Sequence, residues 1–153
     1  MNRIKSFSVD HRKLDVGVYI SRIDGDIVTY DMRFRKPNTG EVLDNESIHT
    51  TEHMLATFAR NSDIADDVIY FGPMGCQTGF YLLVRNNISS GEVLALIKDI
   101  LKKTLDYEGE VFGASEEECG NYRNLDLDAA KRICGEYLDK IKNLEKIIDY
   151  DEV

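Results

Sequence analysis

The amino-acid sequence predicts an α+β fold, a mainly antiparallel sheet packed against helices in a single domain. Three observations predict it. Strand-like alternation comes first in the chain, and long stripes of helical periodicity come last. No Pro/Gly/Ser-rich linker or internal repeat divides the two regions. The length of 153 residues fits one hydrophobic core, so the domain is expected to cover residues 1–153.

Each element has its own signal. Val16–Ile23 is apolar and β-branched, and Asp24-Gly25-Asp26 is a hairpin turn signal. Ile27–Arg35 then alternates, with Val28, Tyr30, Met32 and Phe34 on one face and Thr29, Asp31, Arg33 and Arg35 on the other. On a half-exposed strand the two arginines are expected to be solvated. Pro37-Asn38-Thr39-Gly40 forms a loop, and Asn45 or Ser47 supplies the N-cap of a helix running through Arg60. Val68–Phe71 and Thr78–Val84 read as strands, interrupted by Gly72-Pro73-Met74-Gly75-Cys76. Ser89 or Ser90 caps a second helix with the stripe Val93, Ile97, Ile100, Leu101 and Leu105. The last helix carries Leu127, Ala130, Cys134, Tyr137, Ile141, Leu144 and Ile148. Such a stripe permits a long coiled-coil-like seam, but packing on the sheet is the plainer account.

Composition narrows the function classes. Charged residues make up 31% of the chain and only two prolines occur, which is globular composition. A formal net charge of −9 repels polyanions, and no basic patch offsets it. Nucleic acid and anionic membrane surfaces are therefore not expected partners. The longest apolar runs, such as Phe80–Val84, are five residues, far short of a membrane span. Met1-Asn2-Arg3-Ile4-Lys5-Ser6 lacks the apolar stretch of a signal peptide. Three cysteines form no even disulfide framework, so reduced thiols in a cytoplasm are expected.

The sharpest chemical feature is His49-Thr50-Thr51-Glu52-His53. On a helix, positions i and i+4 share a face, so the two imidazoles can reach one metal ion. Glu52 stands at the edge of that face, where a carboxylate can work beside a metal without ligating it. The competing reading is a polar helix face with two ordinary histidines. Only three histidines occur in the chain, and two of them fall at ligand spacing. A third ligand is needed, and a thiolate tightens such a site. Cys119 is the better candidate, since it follows Ser115-Glu116-Glu117-Glu118 and precedes Gly120 in a polar segment. Cys134 sits on an apolar stripe and reads as a small hydrophobe. Cys76 lies in a glycine-rich turn between strands, where backbone can approach a ligand closely and a thiol can act as acid or base beside a cation.

These residues carry a resemblance. His49-Thr50-Thr51-Glu52-His53, then Gly72-Pro73-Met74-Gly75-Cys76-Gln77-Thr78-Gly79-Phe80-Tyr81, then Cys119-Gly120 resemble the S-ribosylhomocysteine lyase (LuxS, autoinducer-2 synthase) family. Ser6-Phe7-Ser8-Val9-Asp10-His11 and Asp31-Met32-Arg33-Phe34 with Pro37-Asn38 match it too, in register over nearly the whole chain. The resemblance implies a single catalytic domain with His49, His53 and Cys119 as metal ligands. The implied ion is Fe(II), with zinc or cobalt as replacements. Cys76 and Glu52 would be the acid/base groups, and Ser6, His11 and Arg33 would line a substrate site formed at a homodimer interface. One departure stands out. Many members carry Ile-Asp-Ile-Ser before Pro-Met-Gly-Cys, where this chain has Ile69-Tyr70-Phe71-Gly72, so the aspartate and any sugar contact it makes are absent.

The implied reaction converts S-ribosylhomocysteine into homocysteine and 4,5-dihydroxy-2,3-pentanedione. Two carbonyl migrations precede β-elimination of the thiol. Each migration needs a proton removed beside a carbonyl, enediolate charge stabilised, and a positioned base. Two other classes compete on the same residues. An inverted-motif metallopeptidase would use Glu52 to activate water and a carboxylate from Glu116–Glu118 as third ligand. A non-catalytic structural zinc module would need a fourth protein ligand, His11 or Cys76.

Overall fold

The hairpin signal at Asp24-Gly25-Asp26 forms as expected, with Gly25 in the left-handed region at φ +59°. It joins β1 (Gly17–Asp24) to β2 (Ile27–Arg33) as an antiparallel pair. The computed structural model describes all residues from Met1 to Val153. Helix α1 (Asn45–Ala59) follows, then β3 (Val68–Pro73), β4 (Gly79–Arg85), α2 (Ser90–Asp106), α3 (Leu127–Ile141) and the short β5 (Ile148–Asp149). The sheet order is β3-β4-β2-β1-β5, antiparallel throughout except that β5 runs parallel to β1. This is the expected α+β architecture.

Caps set the helix starts. Asp44, one residue before the expected Asn45, accepts from the Ser47 backbone N–H at 2.9 Å and from its hydroxyl at 2.8 Å. Ser89 and Glu92 form a reciprocal capping box on α2. The apolar stripe of α3 does not continue to Ile148. The helix ends at Ile141, and just past it Lys98 Nζ donates to the carbonyls of Lys142 at 3.1 Å and Leu144 at 2.7 Å. Ile148 instead pairs with Tyr19 in the sheet, so no long seam exists.

All three helices cover one sheet face. Val28, Tyr30, Met32 and Phe34 point into the main core with Phe80, Leu82, Leu55, Ile97 and Ile133. Phe34 stacks on Tyr137 at 3.9 Å between ring centroids, which fastens β2 to α3.

The other face was expected to be solvated at Arg33, and it is not. Arg33 is 1% exposed and Asp31 is fully buried. A second, smaller core of Val9, Leu14, Tyr19 and Tyr150 covers this end of the sheet. The N- and C-terminal segments supply that cover, which strand alternation cannot report. Arg35, beyond the end of β2, pairs with Glu136 on α3 at 2.5 Å.

Candidate metal centre and thiol turn

The Asp44 cap fixes where α1 begins, and that sets His49 and His53 one turn apart on its open side. Their rings meet edge to face at 4.7 Å. His53 Nδ1 donates to the Phe112 carbonyl at 2.7 Å, and His49 Nδ1 donates to Asn124 Oδ1. Both Nδ1 atoms are thereby protonated, which leaves each Nε2 lone pair free for a cation. Gly113 has φ +69°, and a Cβ there would lie 3.2 Å from His53 Nδ1. Only glycine lets that loop turn against the ring.

The loop after α2 brings the third donor. Cys119 N–H donates to the Ser115 carbonyl at 3.0 Å, and Ser115 Oγ donates to Glu118 at 2.6 Å. The Asp126 N–H donates to Thr50 Oγ1 at 2.7 Å and ties the end of this loop to α1. Cys119 Sγ then lies 3.3 Å from His49 Nε2. The ligand atoms of His49, His53 and Cys119 all fall within 4.8 Å of one another. Two imidazoles and one thiol, with both rings oriented by outer partners, fit a divalent transition metal. No carboxylate of Glu116–Glu118 joins the trio, and neither do His11 or Cys76. Glu52 is half-buried on the same helix and outside the trio. A cleft of about 240 Å³ opens beside Cys119, walled by Asn121, Tyr122 and Arg123.

Cys76 sits on a second structure, the tight turn from β3 to β4. The Gln77 N–H donates to the Met74 carbonyl at 3.0 Å, with Gln77 itself left-handed at φ 60°. The thiol is exposed at the turn and lies 3.0 Å from Thr78 Oγ1. Beneath it, Arg33 Nη1 donates to Thr78 Oγ1 at 2.7 Å and approaches Cys76 Sγ at 3.9 Å. The rest of the guanidinium is held by Asp31, through Nε at 3.1 Å and Nη2 at 2.5 Å. Burial disfavours the Arg33 charge, yet Asp31 outweighs it and holds the group above its ordinary value. Gly79 pairs with Arg33 across the strands, and a Cβ there would sit 2.2 Å from the Met32 carbonyl oxygen. Glycine is therefore required where β4 closes over Arg33.

The remaining expected residues lie in the N-terminal segment. Ser6 is half-buried in a 3-10 turn, Lys5–Phe7, and His11 is half-buried with Nδ1 3.1 Å from the Val9 carbonyl oxygen. No hydrogen bond joins Ser6, His11 or Cys76 to the metal trio within one chain. Sequence reasoning missed Asn124, the Phe112 carbonyl, Asp31 and Thr78. Asp31 and Thr78 could have been found, since they stand at two-residue spacing from Arg33 and Cys76; the others carry no local signal.

Fold and site together define an α+β protein with a two-histidine, one-cysteine cluster that could hold a metal ion and a separate, arginine-backed thiol. The chain matches the S-ribosylhomocysteinase (LuxS) family model over residues 4–147 and belongs to that family. It is an enzyme of that family. It is 43% identical over 150 residues to the S-ribosylhomocysteine lyase of Finegoldia magna, covering 95% of this chain and 96% of the relative. The S-ribosylhomocysteine lyase of Borreliella afzelii is 40% identical over 151 residues, with 95% and 96% covered. That of Clostridium beijerinckii is 41% identical over 146 residues, with 92% of each chain covered.

Proposed function

We propose that this chain is a metal-dependent lyase that cleaves S-ribosylhomocysteine to homocysteine and 4,5-dihydroxy-2,3-pentanedione, the autoinducer-2 precursor. The observation that carries the reading is the three-donor trio of His49, His53 and Cys119, which lacks a fourth protein donor. A catalytic metal site keeps a position open, whereas a structural zinc site is closed by four protein ligands. The same trio weighs against the metallopeptidase, whose third ligand would be a carboxylate.

His49, His53 and Cys119 would hold one divalent ion per subunit, most simply Fe(II), with zinc or cobalt as substitutes. When bound, that ion supplies Lewis-acid stabilisation of the negative charge developing on the sugar oxygens. The chain's own residues move the protons. Cys76 and Glu52 are the acid/base pair, taking a proton from the carbon beside the carbonyl and returning it to the neighbouring carbon. When the Cys76 proton leaves, the Arg33 guanidinium stands beside the sulfur as a fixed positive charge. Thr78 holds both groups in place. Removal of one further proton then expels the homocysteine thiol by β-elimination, with no net redox change and no water consumed.

Ser6 and His11 line the substrate site, with Arg33 below Cys76 as its floor. The enzyme acts as a homodimer with its sites at the interface. Two observations support this assembly. No hydrogen bond joins Ser6, His11 or Cys76 to the trio within one chain. The N-terminal segment also leaves Ile4 50% and Phe7 68% exposed, apolar surface that a second copy would cover. No helix is long and apolar enough to cross a membrane. All three cysteines are free, which supports a cytoplasmic setting. The test is incubation of iron-loaded protein with S-ribosylhomocysteine, following released thiol with a chromogenic disulfide. Absence of thiol release with full metal occupancy would overturn the reading.

A further inference from the structure

The C-terminal segment reaches the Asp31–Arg33 pair that underlies the thiol turn. β5 pairs Ile148 with Tyr19 and Asp149 with Ile20, which lays the segment along the edge of β1. Asp149 then caps a 3-10 turn, Tyr150–Glu152, accepting from the Asp151 N–H at 2.9 Å, while its own N–H donates to Glu152 at 3.0 Å. That turn drives Tyr150 inward until it is 5% exposed. Lys5 Nζ pairs with Asp151 at 2.7 Å and holds the N-terminal segment to the same turn.

Buried in this way, the Tyr150 hydroxyl donates to Asp31 Oδ2. The Asp31 carboxylate is the group that grips Arg33, and Arg33 is the group that faces Cys76. A buried carboxylate divides its negative charge among its donors. With Tyr150 donating, Asp31 neutralises Arg33 less completely, and more positive charge remains toward the sulfur. Burial pushes the Tyr150 hydroxyl up and the Asp31 charge adds to this, so it stays a donor throughout the neutral range.

We propose that Tyr150 is a positioning residue for Cys76, acting through Asp31 and Arg33, so that the C-terminal turn belongs to the reaction machinery. Its catalytic consequence rests on Cys76 being an acid/base group; the coupling from Tyr150 to the thiol does not.

The test compares zinc-loaded full-length wild type with Tyr150→Phe, which keeps the ring and removes only the hydroxyl. Iodoacetamide labelling at fixed pH is read at Cys76 by peptide mass, separately from Cys119 and Cys134. The Cys76 rate should fall by about 3- to 10-fold, the range that one lost hydrogen bond accounts for. The kcat for thiol release should fall in step, with KM nearly unchanged. Ile148→Ala, which loosens the same segment but spares the hydroxyl, should label Cys76 at close to the wild-type rate. Equal slowing in Ile148→Ala, or an unchanged Cys76 rate in Tyr150→Phe, would overturn the proposal. If Tyr150→Phe does not fold, 3-fluorotyrosine at position 150 retains a stronger donor. Cys76 should then label at least as fast as in wild type, and slower labelling would refute the coupling. A wild type that releases no thiol would sink the lyase reading and leave the labelling result standing.

Discussion

His49 and Asn124 are 75 residues apart in sequence, yet Asn124 Oδ1 accepts a hydrogen bond from the His49 Nδ1–H and so turns its Nε2 toward Cys119 Sγ, 3.3 Å away. The candidate metal centre thus depends on the loop between α2 and α3 as much as on the helix that carries the histidines. The same dependence appears at Cys76, which rests on β2 through Arg33.

The trio makes the first prediction. His49→Ala, His53→Ala and Cys119→Ala should each abolish stoichiometric metal while leaving far-UV circular dichroism unchanged, because an open three-ligand site contributes less to folding than a closed one. Elemental analysis of the purified variants decides it. A fully metallated Cys119→Ala would remove that residue from the ligand set.

Proton transfer should separate from metal binding. Cys76→Ala and Glu52→Gln should keep metal at wild-type stoichiometry and lose on the order of 10²–10⁴-fold in thiol release, the usual cost of removing one positioned acid or base. Cys76→Ala should also stop exchange of substrate C–H protons with deuterated water. Near wild-type turnover in Cys76→Ala would leave that residue a turn residue only.

The buried ion pair has a stability signature. Arg33→Met strands Asp31 without its cation, and such a break should cost about 3–5 kcal/mol in urea unfolding. Removing both charges, as Arg33→Met with Asp31→Leu, should recover much of that loss. A single variant as stable as wild type would show that the pair is not buried as described.

Cys134 governs a pH effect of known sign. Burial pushes its thiol from 9.0 up to about 12. The unfolded chain therefore loses this proton first, and the stability the group contributes is complete below pH 9 and lost as pH rises toward 12. Cys134→Ala should flatten the fall in urea midpoint between pH 8.5 and about 10.5 relative to wild type. An identical slope in both proteins would contradict this account. At neutral pH, native Cys134 should resist iodoacetamide.

Assembly is checked by sedimentation of the metal-loaded protein at assay concentration. A dimer is expected, and an active monomer would place the whole site within one chain.

Much of this protein is legible in its residues. Period-two alternation places β2 and its core face at Val28, Tyr30, Met32 and Phe34, since a strand's facing is a local property. The spacing of His49 and His53 on one helix face is equally local, which is why two of the three candidate donors are legible in the residues themselves. The choice of Cys119 over Cys134 follows from polarity alone, and Cys134 is buried in the main core. Leu144 and Ile148 continue the apolar spacing of α3, so periodicity overstates the length of that helix. The chain leaves the helix after Ile141, and Lys98, on another helix, donates to the Lys142 and Leu144 carbonyls just past its end. The burial of Arg33 is invisible to the sequence for a related reason. Alternation tells which residues share a face, but only the packing of Val9, Leu14 and Tyr150 decides whether that face meets water. Sequence by itself determined the elements and the chemical identity of the donors, because these rest on spacing and side-chain type. Tertiary structure alone decided which donors meet and what charge surrounds them, because those contacts join segments that no local pattern links.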